Sequence, residues 1–194
     1  VTVYGNMAGG IIGYAGASTT LQNCHNYAGV FHTSLVGGIA GFNVGTIQDS
    51  ALHSNLGTVQ SQYKGIGGIA GVNAGSIQNS LPQNAAVNGG QYVGGVAGIN
   101  TGKVSGLNGS AAVRGMTEVG GAVGVNYGTV GADTALNATV SATGDYAGGL
   151  AGKNIGTLGT ATVSGRVQAA NYAGGLAGHN AQNAKITDAE TESA

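Results

Sequence analysis

The chain lacks most of what ordinary globular proteins are built from. It has one cysteine (Cys24), one proline (Pro82), no tryptophan, and charged side chains at only 7% of its positions. A lone cysteine excludes an intramolecular disulfide framework, and no partner cysteine exists for a Cys/His zinc site. Six Lys and Arg against seven Asp and Glu give a net charge of -1. There is accordingly no basic patch for nucleic acid and no acidic run for basic partners. No apolar run approaches the roughly 18 residues of a membrane-spanning helix. No stretch of ten or more residues keeps a helical period. The chain begins at Val1 and has no signal-peptide pattern, which reads as a mature protein or an excerpt of something longer. So little charge leaves little electrostatic protection from self-association.

What is abundant is glycine, 40 of 194 residues, about three times its usual share of roughly 7%. Collagen is excluded because glycine does not fall at every third residue. Disorder is disfavoured because 42% of residues are hydrophobic and in register with the glycines. The glycines mark a repeat. Gly37-Gly38-Ile39-Ala40-Gly41-Phe42-Asn43-Val44-Gly45-Thr46-Ile47 returns with small changes down the chain. Its Gly pairs begin at 9, 37, 67, 94, 120, 148 and 174, at spacings of 28, 30, 27, 26, 28 and 26. A period in this range marks a solenoid, propeller or array.

Each unit has three pieces. The first is the Gly-Gly-aliphatic-Ala-Gly segment ending in Asn-x-Gly. The second starts at an aliphatic residue four after the Asn: Ile47, Ile77, Val104, Val130 and Leu158. The third carries a valine before the next Gly pair: Val59, Val87, Val113, Val140 and Val167. All are short, β-branched and bounded by turn residues, as strands are. The expected fold is all-β: a parallel β-solenoid (β-helix) of about seven coils, 26–30 residues per coil, right-handed by the usual chirality of parallel crossovers. Residues 1–35 read as an irregular N-terminal coil or cap, 36–180 as regular repeats and 181–194 as a polar C-terminal tail or linker.

The residue before each Asn varies from Phe42 to Lys153 and His179, so it should face outward. Alternation along a strand then puts Ile39, Gly41 and Asn43 inward with their equivalents. Asn43, Asn73, Asn100, Asn126, Asn154 and Asn180 are expected to form an inward amide ladder, each at a left-handed corner shared with the Gly two residues on. The outward face would carry a flat strip of Gly38, Ala40, Gly68, Ala70, Gly95, Ala97, Gly149, Ala151, Gly175 and Ala177. Such a strip either packs against another sheet or chain or is simply what tight coils tolerate.

No catalytic, cofactor or metal site emerges. Glu118, Asp133 and Asp145 occupy different coil positions, and no acid pair for glycoside hydrolysis is marked. His25, His32, His53 and His179 lack metal-ligand spacing and read as surface or turn residues. The glycines lack the Gly-Lys-Ser/Thr ending of a phosphate loop. Asn108-Gly109-Ser110 and Asn137-Ala138-Thr139 fit the glycosylation triplet, as chance allows in such a composition. A column of Thr46, Ser76, Lys103, Thr129 and Thr157 could order water, but Lys103 interrupts it.

The unit Gly-Gly-Ile-Ala-Gly-x-Asn-x-Gly-Thr-Ile, with its downstream valine strand, resembles the GLUG-motif repeat over residues 36–180 and more loosely over 9–35. Such repeats occur in bacterial secreted adhesins of the filamentous-haemagglutinin type and in non-catalytic regions of IgA-specific metallopeptidases. The chain has no His-Glu-x-x-His zinc motif, so no peptidase activity carries over. The resemblance implies a secreted or cell-surface setting and a non-catalytic structural or adhesive role. The expected partners are further copies, neighbouring repeats of a longer chain, or host or surface glycans. Cofactors are expected to be none. A carbohydrate-active β-helix enzyme and an ice-binding solenoid are the alternatives.

Overall fold

The computed structural model describes residues 3, 5–30, 34–57, 64–83 and 85–192. Every regular element in them is a strand, and every pairing between strands is parallel. Three sheets have seven strands each, so the chain winds about six full turns. Coil two shows the order. Val36–Gly37, Ala40–Asn43, Thr46–Gln48, Ala51–Leu52 and Leu56–Gly57 each pair with the equivalent strand of the next coil. The solenoid and its register therefore match the periodicity of the sequence: Gly37, Gly67, Gly94, Gly120 and Gly148 are successive partners.

The number of strands per coil is higher than expected, because the Gly-Gly segment is two strands and not one. The chain bends at Gly38-Ile39 and begins a new strand at Ala40. The first three coils also split their last side, giving a three-stranded sheet of His25–Asn26, Ala51–Leu52 and Leu81–Pro82. Further on, this side straightens into the long strands Asn108–Gly115, Thr134–Ala142 and Ala161–Gln168. In the middle one, Leu136, Ala138, Val140 and Ala142 point inward and alternate with exposed or half-buried residues, the period of two that one buried face demands. Val59, expected in this sheet, lies outside the described residues; Leu56 is the partner of Val87.

The interior consists of aliphatic columns. Ile39, Ile69, Val96, Ala122 and Leu150 are fully buried, as are Ile47, Ile77, Val104, Val130 and Leu158. Beside the small Ala122, Val123 is also fully buried. The first two sheets lie back to back with glycine on both facing surfaces. A methyl group on Gly67 would stand 2.0 Å from Ala70 O and 2.6 Å from Ala97 Cα. One on Gly98 would meet Ile66 N at 2.3 Å. These are backbone obstacles that cannot rotate away, so only glycine permits the approach.

Both chain ends belong to the solenoid. Residues 8–26, read from sequence as an irregular cap, form four strands in register with coil two. Residues 181–192, read as a tail, complete the last coil. Lys185–Ile186 pairs with Thr157–Leu158, and Ala189–Thr191 with Ala161–Val163. Both end coils share a change. Four residues, 16–19 and 181–184, turn the corner that Val44 and Gly45 turn in coil two, and each is closed by a backbone bond, Thr19 N to Gly16 O and Ala184 N to Ala181 O. The two extra residues of 181–184 absorb the slip in spacing after Asn180.

Candidate functional surfaces

The asparagine column is the most regular polar feature. Asn43, Asn73, Asn100, Asn126 and Asn154 are fully buried. Nδ2 of each donates to Oδ1 of the next, at 2.8, 2.8, 2.9, 2.9 and 2.7 Å, ending on Asn180. The same Nδ2 donates to the carbonyl two residues on and to a carbonyl of the following coil; for Asn100 these are Gly102 O and Thr129 O. Every internal amide is thus satisfied, which a buried polar group requires. The ladder stops at the first coil, where Ala15 stands in register with Asn43, and Asn43 Oδ1 is buried without a partner.

One expectation about these residues is corrected. Neither the ladder asparagines nor Gly45, Gly75 and Gly102 adopt left-handed backbone. Glycine is needed here for close approach: a methyl on Gly75 would lie 2.0 Å from Gly45 O. The left-handed corner falls further on, at Asn23, Asp49, Asn79, Gly106 and Ala132, with φ of 52°, 51°, 49°, 67° and 53°.

The flat Gly/Ala strip is also corrected. Gly38, Ala40, Gly68, Ala70, Gly95, Ala97, Gly149 and Ala151 are buried, and only Gly175 and Ala177 of the last coil reach solvent. Counting alternation straight through the Gly pair put them outside. The bend at Gly38-Ile39 turns Gly38 in, so that a methyl on it would lie 3.0 Å from Leu52 Cβ; Ala40 follows the bend, in one strand with Phe42, and is fully buried all the same.

The outer surface holds features that the sequence reading missed. A second left-handed column lies two residues before five of the seven Gly pairs, at Leu35, Gly65, Tyr92, Glu118 and Tyr146. Near it is an aromatic shelf: Tyr146 stacks on Tyr172 at 5.2 Å, and Lys64 Nζ sits 5.4 Å from the Tyr92 ring. The signal was the constant offset from the Gly pair, obscured by its mixed residue types. On the long-strand sheet, both arginines, Arg114 and Arg166, border one groove with Asn88, Thr139, Ser141 and Gln168. A neighbouring groove is bordered by three carboxylates, Asp133, Asp188 and Glu190. Asp133 and Asp188 share a groove because Asp188 lies in the last coil and not in a free tail.

The column of Thr46, Ser76, Lys103, Thr129 and Thr157 is in register, and Thr20 and Lys185 extend it. Its two lysines break the row of hydroxyls. Among the histidines, His25 and His53 meet, with Nδ1 and Nε2 3.0 Å apart. Their separation of 28 residues is one coil length. His179 lies against Tyr146 with its Nδ1 unpartnered among the described residues, and His32 lies outside them. Among the described residues, no group of three His, Cys, Asp or Glu converges and no helix is long and apolar enough to cross a membrane. Comparison with family models, curated proteins and solved structures finds no match to this chain.

Proposed function

We propose that the chain is a non-catalytic structural or adhesive segment of a bacterial secreted or cell-surface protein, a rigid rod that associates end to end with further coils. The observation that carries this reading is the unbroken stack of parallel coils, each pairing with the next through equivalent strands. Among the described residues, Ala173–Gly174, Ala177–Asn180 and Lys185–Ile186 are each hydrogen-bonded to a neighbouring strand on one side only. Asn180 Nδ2 is bonded within the described residues to Ala184 O alone. Free strand edges template further strands, and a head-to-tail contact of this kind extends into a filament. The low charge removes the usual obstacle to such stacking. The repeat's resemblance to GLUG-motif regions of secreted adhesins supports the setting.

The test is electron microscopy of the purified chain across a concentration series, with light scattering alongside. Long unbranched filaments support a fibre subunit. Persistent monomers of 18.6 kDa support a stalk continued by neighbouring sequence, with a glycan-binding screen as the next step.

A second reading, a carbohydrate-active enzyme, is favoured by Asp133, Asp188 and Glu190 around one groove. Glycosidic cleavage needs paired carboxylates. Turnover of a polysaccharide by the wild-type chain, abolished in Asp188→Asn or Glu190→Gln, would replace the structural reading with this one.

A further inference from the structure

The first two coils bring two imidazoles into an arrangement that no other part of the described chain repeats. His25 opens the short strand His25–Asn26, whose register partners are Ala51 and Leu52. His53 follows directly, its backbone N–H donating to Asn26 O at 2.8 Å. The side chain of Asn26 is buried, donating to Gly38 O and accepting from Ala28 N, and Ser54 Oγ donates to Ala28 O. Both strand ends are therefore pinned. Tyr27 stacks on the His53 ring at 4.5 Å and 10°, while the His25 ring lies 5.2 Å away at 34°. The His53 ring thus lies against two aromatic neighbours of coil one, with its Nε2 3.0 Å from His25 Nδ1. His25 itself is exposed, so the gap between the two nitrogens opens to solvent.

We propose that His25 and His53 form a two-nitrogen clip for a divalent late transition-metal ion, copper(II) above nickel(II) and zinc(II). The nitrogen–nitrogen distance carries the argument. With metal–nitrogen bonds of about 2.05 Å, two donors at 90° stand about 2.9 Å apart, and two donors at a tetrahedral angle about 3.3 Å. The observed 3.0 Å, also an ordinary hydrogen-bond separation, is short enough for one ion to bridge both nitrogens, and the order copper(II) above nickel(II) and zinc(II) follows from the imidazole ligand type. Neutral imidazole is the ligand form. Binding needs no net proton release: His25 places its proton on Nε2, His53 keeps its own on Nδ1, and the ion sits off the line joining the two nitrogens, each ring rotating slightly to aim its lone pair at it. Cys24 is not a third donor, since its thiol is directed at Gln22 O, and no third ligand joins among the described residues. Water or an outside ligand completes the coordination, so the clip is an open site. It also ties coil one to coil two, which couples metal occupancy to the stability of the N-terminal coil.

The experiment is a titration of the metal-free full chain with copper(II) chloride, read by electron paramagnetic resonance and by thermal unfolding. The expected result is a two-nitrogen signal at one equivalent and a rise in Tm. His25→Ala and His53→Gln should each weaken binding by at least the roughly tenfold that loss of a mere outer-shell partner costs. His179→Ala should leave it unchanged. His25 is exposed, so the His25→Ala chain should fold, and its unchanged circular dichroism would verify this. Equal copper uptake by wild type and the His25→Ala/His53→Gln double variant would overturn the proposal, as would an equal loss in His179→Ala.

Discussion

Asn100 Nδ2 donates to Asn126 Oδ1 at 2.9 Å while Asn100 Oδ1 accepts from Asn73 Nδ2 at 2.8 Å. Asn100 is thus a link bonded on both sides with no exposure to water. Replacing it with alanine leaves Asn126 Oδ1 without its donor, takes one of three acceptors from Asn73 Nδ2, which keeps Gly75 O and Lys103 O, and removes the bonds to Gly102 O and Thr129 O. A buried group left unpaired costs about 1–3 kcal/mol, and with the other bonds removed Asn100→Ala should lose about 2–3 kcal/mol. Asn43→Ala should lose less, because Asn43 Oδ1 already lacks a partner. Urea unfolding of the two variants checks the order; equal losses would refute the ladder as a stabilising unit.

The unpartnered Asn43 Oδ1 makes Ala15 a site where stability can be added. Ala15→Asn puts an amide donor in register with Asn43. A formed hydrogen bond contributes about 1 kcal/mol. The wider corner at residues 16–19 gives the new side chain different surroundings from the internal links, so the expected gain is at most that amount. The measurement is the urea midpoint at unchanged m-value.

The glycines divide into two classes by what stands next to them. Gly94→Ala would force a methyl to 2.0 Å from Ala97 O and 2.7 Å from Val123 Cα. Overpacking against backbone of this kind should cost about 3 kcal/mol or more. At Gly159 the nearest atom to a methyl is Val130 O at 3.9 Å, and φ is not positive. Gly159→Ala should therefore be neutral or stabilising by up to about 1 kcal/mol. Thermal melts of the pair distinguish steric necessity from mere abundance of glycine.

Ala132 is exposed at φ 53°, in a corner column otherwise held by Asn23, Asp49, Asn79 and Gly106. Left-handed backbone costs a Cβ-bearing residue about 1–2 kcal/mol. Ala132→Gly should stabilise by about 0.5–1 kcal/mol, the relief of that strain less the entropy of a glycine in the unfolded chain. A lower Tm would show that the strain is absent.

The coil period, the strand register, the aliphatic columns and the ladder were legible because each is written as one residue type at a fixed offset. Faces were harder. Alternation is reliable only within a strand, and nothing local marks the break at Gly38-Ile39 that turns Gly38 inward; Ala40, in one strand with Phe42, is buried without such a break. Left-handed corners were misplaced because Asn and Gly suit both a sharp corner and a crowded one. Asp49 and Asn79, which hold the corner, looked like ordinary turn residues. The pairing of His25 with His53 needed the coil length applied to single residues outside the motif. The acidic groove needed Asp188 to be in a strand register rather than in a tail.

The ladder has a consequence for length. Every amide points the same way, so each coil presents an acceptor below and a donor above and is interchangeable with its neighbours. Val93 and Val119 are register partners. Excising residues 94–119 therefore joins Val93 to Gly120 with the same geometry that Val119 has now. The rod should shorten by one step of about 4.8 Å and keep every remaining link. Length in this protein is a whole number of turns, and a gene that gains or loses repeats adjusts the reach of the rod as a ruler is cut at its marks.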